Sequence, residues 1–164
     1  ARRHGLKVKA LMSVGHPGES PETVEDTRKW LLEAGPDDFD VSIITTYPGT
    51  PYYDHAVPSP DRPGVWVYTV PSNGDRLMSV DVDFTKVADY YKGVPEGGYR
   101  AYVFTDRLSA EELVFHRDRI EREVRRALGI PYNPASPGVR YEHSMGQGLS
   151  PRILRASGPG RGTG

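Results

Sequence analysis

The sequence contains no cysteine. That absence excludes disulfides, thiolate zinc sites, cysteine nucleophiles and cysteine-held iron–sulfur clusters within the chain, while saying nothing by itself about compartment. An excess of one charge is also lacking. Against 21 Lys and Arg stand 22 Asp and Glu, a net of −1, so no general attraction to nucleic acid or to an anionic membrane is expected. No stretch approaches the roughly 20 apolar residues a membrane-spanning helix needs, and no charged-then-apolar signal segment opens the chain. The expectation is a cytoplasmic protein whose partners are small molecules or protein.

What the chain does have is glycine and proline, 18 and 15 residues, beside a lean 37% of apolar residues. This predicts many turns and an irregular second half. A length of 164 residues suffices for one respectable core and is short for two. Ala1-Arg2-Arg3-His4-Gly5 lacks an initiator methionine and reads as the last turn of a helix left at Gly5, so a preceding region is expected.

Leu6 to Val14 places apolar side chains at every second position, and beyond Lys9 the alternate positions become apolar or small too. The pattern predicts a strand in a sheet covered on both faces. Ser20 then caps a helix with Pro21 at its first position, and Val24, Thr27, Leu31 and Ala34 recur at helical spacing until Gly35-Pro36 stops it. Phe39 to Thr46 is β-branched and reads as a second strand, parallel to the first because a helix makes the crossover.

Farther on, Pro58, Pro60 and Pro63 rule out regular helix, and Asn73-Gly74 between two apolar runs predicts an antiparallel hairpin over residues 65–82. Tyr99 to Thr105 is a further strand candidate. Ser109 and Glu112 form a capping box for a helix running to about Leu128, with Leu113, Ile120, Val124, Ala127 and Leu128 on one side and Gly129 at its end. Its Arg117, Arg119, Arg122, Arg125 and Arg126, interleaved with Asp118, Glu121 and Glu123, read as a solvated face of (i, i+4) pairs. From Ser150 the Gly, Pro, Ser and Arg tail is expected to be disordered.

Two turns carry the functional signal: Val14-Gly15-His16-Pro17-Gly18-Glu19 and Thr46-Tyr47-Pro48-Gly49-Thr50-Pro51, each directly after a predicted strand. In parallel α/β folds, ligands sit at the carboxyl ends of strands, and glycine lets them approach the backbone. A tight turn with no further role fits the same spacing. His16 lies inside the first turn, and Tyr52, Tyr53, Asp54 and His55 follow the second as a polar aromatic cluster. The five histidines show no paired ligand spacing, so no metal site is expected in this chain. The first turn also lacks the Lys-Ser/Thr ending of a phosphate-binding P-loop.

The string from Gly5 to Ser20, followed by Glu22 to Thr27 and then Tyr47-Pro48-Gly49-Thr50-Pro51-Tyr52, resembles the fifth and sixth strands of a radical S-adenosylmethionine (SAM) enzyme. It is most similar to the branch that carries an N-terminal cobalamin-binding domain. The segments Leu128 to Tyr132 and His143 to Gln147 resemble that branch's C-terminal part less specifically.

The resemblance implies an α/β fold: the C-terminal part of a partial (β/α)6 TIM-like barrel over residues 1–56, then an α+β extension over 57–149 and a disordered tail over 150–164. It implies that Ser13, Val14 and Gly15 pack against the adenine of SAM, with Tyr47 and Pro48 at the adenine edge. His16, Tyr52, Tyr53 and His55 become candidates for a substrate pocket, and no residue here is implied to be catalytic. The parent would be a radical SAM enzyme using SAM, a four-iron four-sulfur cluster on a Cys-x3-Cys-x2-Cys loop, and cobalamin. Its expected reaction is methyl transfer to a small-molecule or natural-product intermediate: reduction of SAM by the cluster gives a 5′-deoxyadenosyl radical that abstracts hydrogen from the substrate, and a methyl group then passes from methylcobalamin. Because the cluster cysteines and the cobalamin-binding domain would lie upstream of Ala1, the chain is expected to hold neither cluster nor cobalamin, to be inactive alone, and to work with the missing N-terminal part of the same enzyme. Two other readings stay open: a non-catalytic α/β interaction module or degenerate paralogue, and a methylthiotransferase-type radical SAM enzyme.

Overall fold

A computed structural model describes residues 4–82, 95 and 99–131. Among them the architecture is mixed α/β, with two sheets and three helices. The order is β1 (Lys9–Val14), α1 (Pro21–Ala34), β2 (Asp38–Ile43), α2 (Pro51–Asp54), β3 (Val57–Pro58), β4 (Val65–Thr69), β5 (Arg76–Val80), β6 (Val103–Thr105) and α3 (Ala110–Leu128). β1 and β2 form a parallel pair in which Lys9 lies opposite Asp38 and Val14 opposite Ile43. The other four strands form an antiparallel sheet in the order β3-β4-β5-β6. No closed barrel is formed among the described residues. The C-terminal end of the α+β extension and the tail expected to be disordered lie outside them.

The helix signals act as expected. Ser20 accepts from Thr23 N–H while the Thr23 side chain accepts from Ser20 N–H, and α3 repeats the arrangement with Ser109 and Glu112. Each box satisfies two of the amide donors that a helix start leaves without partners. Val24 and Leu31 of α1, with Leu113, Ile120 and Val124 of α3, pack on Val14, Phe39, Val41 and Ile43 of the parallel pair. Leu77, Val103 and Leu108 join the same core, so the two sheets share one interior.

The parallel pair is covered on one face only. Lys9, Leu11 and Ser13 are exposed, Leu11 at 72%, and opposite them stand the half-buried Asp38, Asp40 and Ser42. The expectation of a sheet buried on both faces is therefore corrected. The Lys9 ammonium bridges Asp38 at 2.9 Å and Asp40 at 3.0 Å, so charge pairing occupies the face that apolar packing leaves open.

The largest correction concerns α3. Its arginines do not form one solvated face: Arg117 is 2% exposed and Arg125 8%, with Asp118 and Glu121 buried beside them. They lie along the outer edge of β2, where a strand flanked on one side only presents unpaired backbone groups. Val41 N–H donates to Glu121 Oε1 at 2.9 Å, and Arg117 Nε donates to the Val41 carbonyl at 2.9 Å. Arg125 donates to the Phe39 carbonyl at 2.5 Å, and Ile43 N–H donates to the Tyr99 hydroxyl at 2.9 Å. Side chains thus stand in for the missing strand. Charge stays balanced because Arg117 pairs with Asp118 at 2.8 Å and Arg125 with Glu121 at 2.7 Å. The guanidinium faces stack on Tyr99 and Phe39 at 4.8 and 4.7 Å from the ring centroids. Arg119, its side chain 34% exposed and paired with Glu123 and Glu25, behaves as the predicted surface ladder, and Arg126 is exposed.

Removing one partner of a buried ion pair costs about 3–5 kcal/mol because the other charge stays buried. Glu121→Leu is therefore expected to lower unfolding free energy by about that amount, while Arg119→Ala changes it by ~0.5 kcal/mol or less; urea denaturation of both variants measures the contrast. The open face makes a second prediction. Burial acts to raise the Asp38 carboxyl, but the Lys9 ammonium, the Phe39 N–H and Arg125 outweigh it and hold it below the ordinary aspartate range. A depressed carboxylate stabilises the fold above its unfolded value, about 4, and that contribution is lost as pH falls through the folded value. Replacing Lys9 with Met should shift the acid limb of the stability curve to higher pH by a fraction of a unit, worth ~0–1 kcal/mol for so exposed a pair.

Candidate functional site

The register that sets Val14 beside Ile43 brings both Pro-Gly turns to the same end of the parallel pair. In the first turn, Gly15 N–H donates to Glu19 Oε2 at 3.0 Å and Glu19 N–H donates to the His16 carbonyl at 3.0 Å. The Thr23 hydroxyl also donates to the Glu19 carboxylate. From across the core, the Thr105 hydroxyl donates to the Glu19 carbonyl at 2.8 Å. Glu19 is buried. Its negative charge sits just before the N-terminus of α1, where the helix dipole favours an anion. The turn is thus closed around its own glutamate.

Gly15 adopts φ +89°, and a Cβ there would meet Ile43 and Val103 at 3.2 Å and Leu113 at 3.4 Å. In the second turn, Thr50 N–H and hydroxyl both donate to the Tyr47 carbonyl, at 3.0 and 2.7 Å, and Gly49 N–H donates to Asp54 Oδ1 at 3.1 Å. Gly49 has φ +87°, but a Cβ added there would meet no atom within 4 Å. One glycine is required by backbone angle alone, the other by angle and by crowding.

Between the turns a small cluster forms. Ser13 Oγ lies 2.8 Å from His16 Nε2, the His16 ring meets Tyr52 edge-on at 6.2 Å, and Tyr52 leans on Tyr68 at 5.0 Å. The result is a hydroxyl, an imidazole and two phenol rings at the mouth of the two strands. It can hydrogen-bond the edge of a flat ring and pack against its face, and it places no formal negative charge there.

The other sequence candidates fall elsewhere. Val14 is buried, and Gly15 faces the core with its N–H engaged by Glu19. Pro48 is buried and Tyr47 half-buried beneath the second turn, Tyr53 is buried, and His55 is exposed at the end of α2. Tyr52 and Tyr53 part because consecutive helical residues point about a quarter-turn or more apart. Tyr68 is not among the sequence candidates. Its alternation with Val67 in β4 puts it on the face opposite Val67, and only the packing of α2 sets Tyr52 beside it.

Among the described residues, no group of three or more His, Asp or Glu could hold a metal ion, and no helix is long and apolar enough to cross a membrane. No protein-family model, no curated protein and no solved structure matches the chain.

Left-handed backbone costs a non-glycine residue about 1 kcal/mol or more, and forced packing adds ~1–3 kcal/mol. Gly49→Ala should therefore lose about 1 kcal/mol of stability and Gly15→Ala about 2–4 kcal/mol. Equal midpoint shifts in urea for the two variants would contradict the crowding of Gly15.

Proposed function

We propose that this chain supplies the adenosine side of the SAM site, and part of the substrate pocket, in a cytoplasmic radical SAM enzyme of the cobalamin-binding branch, with methyl transfer as its reaction. The observation that carries the reading is the convergence of Ser13, His16 and Tyr52 where two parallel strands end side by side. A ring edge with hydrogen-bonding nitrogens, as in adenine, suits a hydroxyl, an imidazole and an aromatic wall.

The cofactors fit unequally. The residues present suit the adenosine half of SAM: Ser13, with His16 and Tyr52 that the resemblance assigned to the substrate pocket, would orient it, while Val14, Gly15, Tyr47 and Pro48 belong to the two turns that present them. With no cysteine, nothing here suits a four-iron four-sulfur cluster. In the parent enzyme, SAM on such a cluster supplies radical chemistry, and cobalamin a methyl group. This chain's own part is confined to binding, orientation and exclusion of water, and the cluster and cobalamin belong to polypeptide outside this sequence.

The test is to clone the full reading frame that contains this chain, reconstitute it anaerobically with iron and sulfide, and assay SAM turnover. The expected result is a cluster-bearing protein that cleaves SAM to 5′-deoxyadenosine or S-adenosylhomocysteine, and in which His16→Ala weakens SAM binding about tenfold, or ~1.4 kcal/mol. A full frame with no three-cysteine motif would overturn the proposal and leave a non-catalytic binding module.

A further inference from the structure

A second concavity lies on the outer face of the antiparallel sheet, away from the strand mouths. Met78 of β5 is the cross-strand partner of Val67 and of Phe104, so these three side chains share one face, opposite the face that sends Leu77 and Val103 into the core. An outward apolar face would ordinarily be wet, yet Met78 is only 8% exposed. The loop before β4 lies beside it. Ser59 N–H donates to the Val65 carbonyl at 2.8 Å and Val65 N–H to the Arg62 carbonyl at 3.1 Å, closing the β3–β4 hairpin, and Arg62 reaches across the sheet face to the Phe104 ring of β6. Beside the loop is a cavity of about 270 Å³, lined by Asp61, Arg62, Val67, Arg76, Met78 and Asp106 among others.

Its charges are of two kinds. Arg76 and Asp106 satisfy each other, Arg76 Nε donating to Asp106 Oδ2 at 3.0 Å with a second contact beside it. Arg62 and Asp61 have no ion pair or side-chain hydrogen bond among the described residues, and Arg62 is held with its guanidinium 5.6 Å from the centre of the Phe104 ring. One open cavity thus carries an apolar floor and, at its solvent-exposed rim, a cation and an anion that no other described side chain pairs. A simple anion would meet Asp61 as well as Arg62, and a simple cation the reverse. A zwitterion with a short apolar substituent satisfies both and covers Val67 and Met78. The volume of about 270 Å³ leaves room for a small molecule.

The geometry points to a binding site for a free α-amino acid with an aliphatic side chain, its carboxylate on Arg62, its ammonium on Asp61 and its side chain on Val67 and Met78. Arg suits the carboxylate because its planar fork can donate two parallel hydrogen bonds. The site is independent of the SAM reading and stands or falls without it.

The test is calorimetric and NMR titration of the full chain with L-leucine, beside N-acetyl-L-leucine, which lacks the ammonium, and L-leucinamide, which lacks the carboxylate. Leucine is expected to bind with shifts confined to the loop before β4 and to β4, β5 and Asp106, and each blocked analogue to bind at least tenfold more weakly. Arg62→Ala and Asp61→Asn should each lower leucine affinity about tenfold with unchanged circular dichroism. Absence of leucine binding, or equal binding of the acetylated analogue, would overturn the assignment; the analogues give this answer even if a variant folds poorly.

Discussion

The structure depends on how the outer edge of β2 is closed. A parallel pair of strands has two bare edges, and buried backbone groups without partners cost about 1–3 kcal/mol each. Here the Phe39 carbonyl, both polar groups of Val41 and the Ile43 N–H are all taken by Arg125, Glu121, Arg117 and Tyr99. The charges that do this are themselves costly to bury, and they are tolerated because each is paired, hydrogen-bonded and, for the two arginines, stacked on a ring. A helix face without polar side chains could pack against this edge but could not satisfy it.

That closure fixes where α3 lies, and α3 fixes much else. With its polar stripe bound to β2, the helix turns Leu113, Ile120 and Val124 onto the sheet's inner face. Leu113 and Val103 then press on Gly15, and Thr105 reaches the Glu19 carbonyl. The first turn is therefore held both from within, by Glu19 on Gly15 N–H, and from the second sheet. The side chains at the strand mouths inherit their positions from an ion-pair network on the far side of the core.

The same chain solves its two exposed problems differently. The open face of the parallel pair is covered by charge, with Lys9 between Asp38 and Asp40. The outer face of the antiparallel sheet is flanked by chain, the loop before β4 bringing Arg62 over Phe104 and leaving an open cavity with charged walls beside Met78. The first arrangement is pH-dependent and weak, the second is apolar and geometric.

Sequence by itself determined the local elements. Ser20, Ser109, Glu112 and Asn73-Gly74 act through atoms within a few residues of themselves, so both long helices and the hairpin were legible, as was the strand–helix–strand unit that aligns the two turns. Short elements such as α2 and β3 carried too few residues to show a period, and the strands proved shorter than their apolar runs because pairing, not composition, ends a strand. What only the tertiary structure decided was the use of charge and of distant rings. A helix with arginines interleaved among acids looks the same whether they face water or a strand edge, and Arg117 and Arg125 became structural only when β2 offered unpaired carbonyls more than seventy residues away. Tyr68 joined Tyr52 for the same reason: periodicity fixes which way a side chain points, and the packing of separate elements fixes what it meets.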